Sequence, residues 1–309
     1  MIRSFYLTTL FALVSSFATG ASAQGTFKLK FPDGRKSTTV TQVKSEQTLT
    51  LVGMELISGS EQTITVTSTN GQRADDGKLV VKSTIDALEA SVTLPGGTEL
   101  QFDSADPDAD PPGTQFDFVL DIFKATAKST WATTMSQDNR VVAVEGRDNA
   151  FGDLPQNLQD AMKSQLDPEY LKTAANDELD KLPSKPVSPG DSWERTALMR
   201  LDSGQKLTFT TKYTYEGRIE QNGKTLEKIV SQTTKVDYSA DADAPLKVVE
   251  SDLKVAASEG QILFDAAYGQ TVLQQSKVQV TGSLKLEING MELPGELDLT
   301  IGNKTTIKL

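Results

Sequence analysis

The stretch FGDLPQNLQDAMKSQLDPEYLKTAANDELDKL, residues 151–182, decides how the rest of the chain can fold. It is the one long segment with helical spacing in a sequence otherwise patterned for β-strands. Apolar residues recur in it at intervals of three and four, which is typical of a helix with one buried face. The sequence therefore predicts helices at the centre of the chain, between two strand-rich halves.

Two helices are predicted in this stretch. The first is expected to start at Asp153, because Gln156 follows three residues later in a capping-box arrangement. The second is expected to start at Asp167, since Asp is a good N-cap and Pro168 fits the first helical position, where an N–H is not needed. Pro183 prevents further helix.

The apolar stripes of these helices include Leu158 on the first and Leu171 on the second. Because only a short turn separates them, the stripes predict a helical hairpin over residues 151–185 whose apolar faces a sheet must cover.

The N-terminus is typical of a secretory signal. Arg3 supplies a positive charge, an apolar run extends from Phe5 to Phe17, and Ala21-Ser22-Ala23 has the small-residue pattern of a cleavage site. The run is too short to span a membrane. We therefore expect cleavage after Ala23 and a mature protein that is periplasmic or secreted. Since no cysteine follows the site, a lipid-anchored N-terminus is not expected.

Composition excludes several classes of function. The chain has no histidine and no cysteine, so a Ser-His-Asp triad, a Cys-His pair and His-ligated metal sites are all excluded. A net charge of −11 argues against binding nucleic acid. Glycine-rich phosphate loops are also missing. We therefore predict no catalytic residues, no cofactor and no metal ligands, and the sequence identifies no protein partner.

The first half, residues 24–150, alternates apolar and polar residues as half-buried strands do. One such run covers Lys36 to Leu51. In the run from Lys78 the apolar parity slips near Ala87 to Glu89, which predicts a β-bulge and a bent strand. A hairpin is expected to turn at Asp138-Asn139.

Two acidic segments, residues 103–110 and 237–243, resemble each other. Alternating Asp side chains could bind calcium, but the turn glycine and closing glutamate of a calcium loop are missing from the first. We interpret them as solvated connections and leave calcium binding open. Because similar strands and hairpins surround both, they also indicate a duplication into two similar β units.

The second half, residues 186–309, continues the strand pattern. Large apolar residues there share inward parity on two strands and, with the helical stripes, could line a site for an apolar ligand. The candidate lining residues are Leu207, Phe209, Tyr213, Tyr215, Ile262, Phe264, Leu158 and Leu171.

Three groups of residues carry a resemblance to a known family. They are Phe102-Asp103-Ser104 with its acidic tail, the strand–turn–strand from Trp131 to Gly146, and Leu182-Pro183 with Pro186 leading to Gly190-Asp191-Ser192-Trp193. Their order resembles that in an uncharacterised family of secreted bacterial proteins, of the type frequent in planctomycetes. Asn139 stands where that family tends to have glycine, and Asn also tolerates the left-handed conformation. The resemblance implies no activity and no catalytic residues.

The predicted fold is α+β and mainly β: a curved antiparallel sheet, or half-open barrel, built from two similar β units with the helical hairpin on its concave face. The units, 24–150 and 186–309, are expected to form one continuous structural domain with the hairpin. This arrangement is also similar, remotely, to periplasmic lipoprotein carriers of the LolA type, which hold acyl chains between sheet and helices.

Three classes of function stay open. The first is a non-catalytic envelope protein that binds a lipid or another apolar molecule. The second is a structural or interaction protein of the envelope with no small-molecule site. The third and most remote is a glycosidase, which needs two carboxyl groups about 5–10 Å apart in a cleft.

Overall fold

The computed structural model describes residues 24–107, 111, 113–201, 204–240, 247–288 and 290–308. The predicted signal, Met1–Ala23, lies outside these ranges, as do parts of both acidic segments. Twelve strands of the described chain form one antiparallel sheet. The strands are β1 Lys36–Leu51, β2 Met54–Asn70, β3 Leu79–Leu94, β4 Thr98–Asp103, β5 Thr130–Met135, β6 Val141–Glu145, β7 Ser192–Arg200, β8 Gln205–Gln221, β9 Lys224–Ala240, β10 Lys247–Asp265, β11 Gln270–Ile288 and β12 Met291–Lys308.

The order of the strands explains the role of the central helices. The sheet runs β6-β5-β3-β2-β1-β12-β11-β10-β9-β8-β7, with β4 paired to β3. The chain therefore starts in the middle of the sheet, meanders out to one edge at β6, and begins again at the opposite edge with β7. From there it meanders back until β12 pairs with β1. Residues 146–191 must connect the two edges, which requires a curved sheet or a long crossing.

The bend predicted in β3 is confirmed. Thr65 of β2 pairs with Ala87, whereas Val66 pairs with Ile85, so Asp86 is the extra residue of a β-bulge. Up to Ile85 the odd-numbered residues are buried or half-buried, and from Leu88 the even-numbered ones are. The change of parity in the sequence therefore marks the bulge to within a few residues.

In the described ranges, three α-helices and a 3-10 turn at Asn149–Phe151 lie outside the sheet. The helices are α1 Phe118–Ala127, α2 Gln156–Met162 and α3 Pro168–Asp180. None of the helices within the described ranges has the length and apolar character needed to cross a bilayer.

The predicted capping box at Asp153 is wrong. The helix α2 begins at Gln156 after Pro155, and no side chain caps it. Pro155 disfavours helical backbone at the residue before it, so the helix cannot start earlier. The predicted cap of α3 is confirmed, since Asp167 accepts a hydrogen bond of 2.8 Å from the N–H of Tyr170.

The helices cover the sheet differently from the helical hairpin that the sequence predicts. The principal contacts of α3 are with β6 and β7, the two edge strands, so this helix lies across the opening of the curved sheet. The inner face of the first half is covered by α1, which packs against β3 and β4. Leu158 of α2 is buried, as predicted, at 7% exposure.

The core consists of three apolar clusters on the inner face. The first joins the N-terminal segment to β8, β9 and β10, and contains Phe27, Leu182, Tyr213, Tyr215, Ile229, Ile262 and Phe264. The second lies under α1 and contains Ile85, Leu88, Ala90, Leu100, Phe102, Leu120 and Phe123. The third lies towards the other end of β8–β12 and contains Leu207, Val236, Val280 and Leu299.

Candidate functional site

A cavity of about 310 Å³ lies between the C-terminal end of α3 and the inner face of the sheet. Strands β1, β2, β3, β11 and β12 supply one wall, and the N-terminal segment that precedes β1 supplies another. Six apolar residues line it: Leu29, Phe31, Val81, Leu179, Leu182 and Ile307. The cavity therefore lies in the layer between sheet and helix where an apolar site was predicted.

The helix α3 is held over this cavity by bonds to both edges of the sheet. On one side the Asn176 amide donates to the carbonyl of Val141 at 2.9 Å and accepts from its N–H at 3.0 Å, so it pairs with the backbone of β6 as another strand would. On the other side the Arg195 Nε of β7 donates to the carbonyl of Asp180 at 2.7 Å. These bonds fix the last turns of α3 across the opening.

The N-terminal segment, residues 24–35, closes the same end of the sheet. Gly25 and Val187 exchange two backbone hydrogen bonds, of 2.8 and 3.1 Å. The Phe27 ring then inserts into the first cluster, where its centroid lies 5.6 Å from that of Tyr215 and 5.3 Å from that of Phe264. Burial of this aromatic ring anchors the segment against the inner face.

Charged groups of the cavity lining are engaged with neighbouring polar groups. The Lys30 ammonium donates to a carbonyl of the β10–β11 turn at 2.8 Å, and the Arg35 guanidinium donates to another at 3.2 Å. The Gln274 amide donates to the Glu178 carboxylate at 3.1 Å. The cavity therefore combines apolar side chains with a polar border that carries two cations, bonded to backbone carbonyls, and one carboxylate, bonded to Gln274.

A second polar cluster lies at the base of the first core cluster, outside the cavity lining. The Glu227 carboxylate is 3% exposed, and it accepts a hydrogen bond from the Tyr215 hydroxyl and one of 2.9 Å from the Arg218 Nε. A buried charge is tolerated when it is paired and hydrogen-bonded in this way. This arrangement stabilises the end of the sheet and leaves Glu227 with partners within the protein.

Two buried tyrosines are expected to make the protein less stable at alkaline pH. Burial raises the pKa of Tyr213, and burial followed by the hydrogen bond to Glu227 raises the pKa of Tyr215. Both pKa values lie above the value of about 10 that a tyrosine has in the unfolded chain. The contribution of the two protonated phenols to the free energy of unfolding is therefore complete below pH ~10 and is lost as the pH rises further. Urea unfolding at a series of pH values from 8 to 11 should show this loss.

A Tyr213→Phe variant should lose part of this alkaline dependence, because it keeps the ring and removes the titrating group. The exposed Tyr268, at 47% exposure, provides the matched control. If Tyr268→Phe and Tyr213→Phe change the alkaline slope equally, burial is not its cause.

None of the eight predicted lining residues lines the cavity, and most of them lie in the core. Four of them meet in the first cluster: Tyr213, Tyr215, Ile262 and Phe264. Two belong to the third cluster or pack against it: Leu207 and Phe209. Leu158 is buried on α2, and the half-buried Leu171 of α3 borders a different surface pocket beside β6.

The residues that do line the cavity were only partly visible in the sequence. Leu179 and Ile307 follow the apolar spacing of α3 and β12, but that spacing does not distinguish a core residue from a lining residue. Leu29 and Phe31 lie in an extended segment with no periodic signal. Finding them would require knowing that the segment before β1 folds back against the β10–β11 turn.

The described residues contain no group of three or more acidic side chains placed to hold a metal ion. Of the first acidic segment, Asp103 accepts a hydrogen bond of 2.8 Å from the N–H of Ala105, which is a local turn interaction. Residues 108–110 and 241–243 lie outside the described ranges, so calcium binding there stays an open prediction.

Comparison with known proteins identifies the family of the chain. The model of a family of unknown function, DUF6263, matches residues 76–269, from the end of the β2–β3 connection to the β10–β11 turn. The match covers more than half of the sequence, so the chain belongs to this family. The resemblance to an uncharacterised family is thus confirmed in its general form. None of the curated proteins matches the chain.

The similarity to solved structures is distant. A structure of lipid–protein interactions in lipovitellin aligns with a TM-score of 0.44 and 9% identity over 91% of this chain. The chain spans about a quarter of that lipovitellin chain, 26%. The COG4313 outer membrane channel from Pseudomonas putida F1 aligns with a TM-score of 0.28 and 10% identity, over 92% of this chain and 98% of the channel. At such scores neither likeness supports an inference about this chain.

Proposed function

We propose that this member of the family of unknown function is an exported, non-catalytic envelope protein that holds a lipid or another small apolar molecule between α3 and the sheet. The observation that carries the proposal is the cavity beneath α3, with six apolar side chains in its lining. Ligand sites are concave, mostly apolar and bordered by a few polar groups that orient the ligand. The cavity is concave and brings six apolar side chains together, and the rest of its lining is polar side chains and one glycine.

The size and border of the cavity restrict the ligand. A volume of about 310 Å³ is at the lower end of the range for small-molecule pockets, about 300–1,000 Å³. A short acyl chain or part of a longer one would fit. The cations of Lys30 and Arg35 lie at the border, so an acidic head group is the polar end that this site favours.

Two alternatives compete with this proposal. A structural protein with no ligand would use α3 only to join the two edges of the sheet, and the bonds of Asn176 and Arg195 would serve that role alone. A glycosidase would need two carboxyl groups facing one cleft. Among the described lining residues of the cavity, Glu178 is the only carboxylate. We therefore favour ligand binding without catalysis.

Binding of cis-parinaric acid, a naturally fluorescent fatty acid, would test the proposal. We expect the wild-type protein to enhance its fluorescence in a saturable manner. A Leu179→Asn variant places an amide in the apolar lining and should weaken binding about tenfold or more, because burying an unpaired polar group costs about 1–3 kcal/mol. The titration should be repeated at pH 7 without detergent.

Leu171→Asn is the matched control, since Leu171 is also half-buried on α3 but does not line the cavity. We expect it to lose similar stability and to keep binding. If the probe does not bind the wild-type protein, the structural alternative is favoured. If both variants bind as well as the wild type, the cavity is not the binding site.

Export and duplication complete the proposal. Export rests on the signal pattern of Met1–Ala23, and N-terminal sequencing of the mature protein should begin at Gln24. The hypothesis of two similar β units rests on the repeated acidic segments and the strands and hairpins around them, and the remote likeness to LolA-type carriers rests on a curved sheet with helices on it. The hypothesis of two units is compatible with six strands on each side of the central helices.

A further inference from the structure

Two neighbouring hairpins expose apolar side chains at the end of the sheet opposite the cavity. On the β1–β2 hairpin Val52, Met54 and Ile57 are 64%, 66% and 58% exposed, and at the start of β12 Met291 is 61% exposed. Val52, Met54 and Met291 form what we call the tip surface, and Ile57 lies close to it on the opposite face of β2. Large apolar residues exposed together at one site indicate an interaction surface, whereas single ones do not.

The two hairpins are in contact. Leu51, the last residue of β1, pairs with Gly295 of β12. The Leu51 side chain lies close to Gly295: a Cβ added at Gly295 would be 2.8 Å from the Cδ2 atom of Leu51. The tips of both hairpins therefore project side by side beyond the last paired residues of β1 and β12.

The backbone of Val52 is strained. Its φ is +50°, in the left-handed region, which β-branched residues rarely adopt. The preferred residue for this position of a two-residue hairpin turn is Asn, Asp or Gly. A valine at this position makes the turn less stable than Asn, Asp or Gly would, and it also exposes an apolar side chain to water. The folded chain alone gives no reason for this choice, but an apolar environment around the turn does.

The apolar character continues inward from the tips. Leucines of β1, β2, β11 and β12 share the inner face at this end, where they are half-buried or buried: Leu49, Leu51, Leu56, Leu284, Leu286 and Leu297. The tips are thus the outer end of an apolar inner face.

Charges around the tips favour one kind of lipid. Six carboxylates lie on these hairpins and the adjoining start of β10, against two lysines: Glu55, Glu250, Asp252, Glu287, Glu292 and Glu296, with Lys247 and Lys285. Lys285 pairs with Glu250 at 2.9 Å and with Glu292 at 3.5 Å, and Lys247 pairs with Glu287 at 3.6 Å. The excess negative charge would be repelled by an anionic lipid surface.

We propose that the tip surface inserts into the interface of an electrically neutral lipid bilayer. Apolar side chains at the ends of adjacent hairpins can enter the boundary between head groups and acyl chains while the flanking carboxylates stay in water. The proposal is independent of the ligand of the cavity, because the tip surface lies at the other end of β1.

Co-sedimentation of the full mature chain with phosphatidylcholine vesicles tests the proposal. We expect the wild-type protein to bind. A Val52→Asn/Met291→Ser variant should bind at least about tenfold more weakly, because two exposed apolar side chains no longer enter the bilayer. Asn tolerates a positive φ, so the melting temperature of the variant should not fall. A loss of binding then reflects the tip surface and not unfolding.

A Val80→Ser/Val142→Ser variant is the matched control, because these valines are 39% and 45% exposed but lie on β3 and β6, away from the tips. It should bind as the wild type does. Vesicles containing phosphatidylglycerol should bind less protein at low salt. Equal binding by the tip variant, or stronger binding to anionic vesicles, would overturn the proposal. So would a concentration-dependent dimer that the tip variant abolishes in the absence of vesicle binding.

Discussion

Replacing Phe264 with alanine is expected to lower the free energy of unfolding by about 3–5 kcal/mol. The side chain is fully buried, at 0% exposure, in the first core cluster. It packs against Phe27, with ring centroids 5.3 Å apart. Removing the ring leaves a cavity at the point where the N-terminal segment joins the sheet, so the segment loses its anchor as well as its apolar contacts.

Urea unfolding monitored by circular dichroism would measure this loss as a lower midpoint. Tyr268→Ala removes an aromatic ring of similar size a few residues away, but Tyr268 is 47% exposed, and we expect a change below about 1 kcal/mol. Equal losses in the two variants would show that the first cluster is not packed as described.

Gly282→Ala is expected to cost about 3 kcal/mol or more, from strained backbone and overpacking together. Gly282 of β11 has a φ of +152°, and a Cβ at this position would lie 2.0 Å from the carbonyl oxygen of Asp252 on β10. The contact is with backbone, so no side-chain movement can relieve it. The strands β10 and β11 would have to separate locally.

Gly302→Ala on β12 is the matched control for this prediction. A Cβ there would have its nearest neighbour at 3.9 Å, the carbonyl oxygen of Lys44, which is ordinary van der Waals contact. We expect Gly302→Ala to change stability by less than about 1 kcal/mol in either direction. Thermal melts of both variants under identical conditions would compare their stabilities. A Gly282→Ala protein as stable as Gly302→Ala would contradict the close approach of β10 to β11.

Features that depend on residues near each other in the chain could be predicted from the sequence. The alternation predicted from Lys36 to Leu51 has the bounds of β1, and the turn at Asn139 has the positive φ, +58°, that its residue type allows. Both features depend on near neighbours along the chain. The capping box at Asp153 failed because one residue, Pro155, restricts the backbone before it.

The arrangement of the elements could not be predicted in the same way. Nothing in β1 or β12 alone indicates that they pair, since any strand with apolar alternation could be a neighbour. The position of α3 across the opening follows from that topology, and the cavity follows from α3. The six proposed lining residues on strands face inward, as their parity indicated. Which inward residues remain uncovered depends on α1, α3 and the segment before β1.

The pairing of β1 with β12 also has a kinetic consequence. It joins residues at opposite ends of the described chain, such as Thr38 and Lys308. Ladders between such distant segments form slowly, because a very long loop must close before any contact is gained. Until the last strand is in place, β1 presents an unpaired edge, which can associate with other chains.

Truncation of β12 should therefore leave a chain that aggregates during refolding and does not form a smaller stable sheet. Dilution from urea followed by light scattering would measure this. A protein of this topology has to be complete before the centre of its sheet can form. If the chain is exported, as proposed, its strands would have to stay unpaired until the final strand is available.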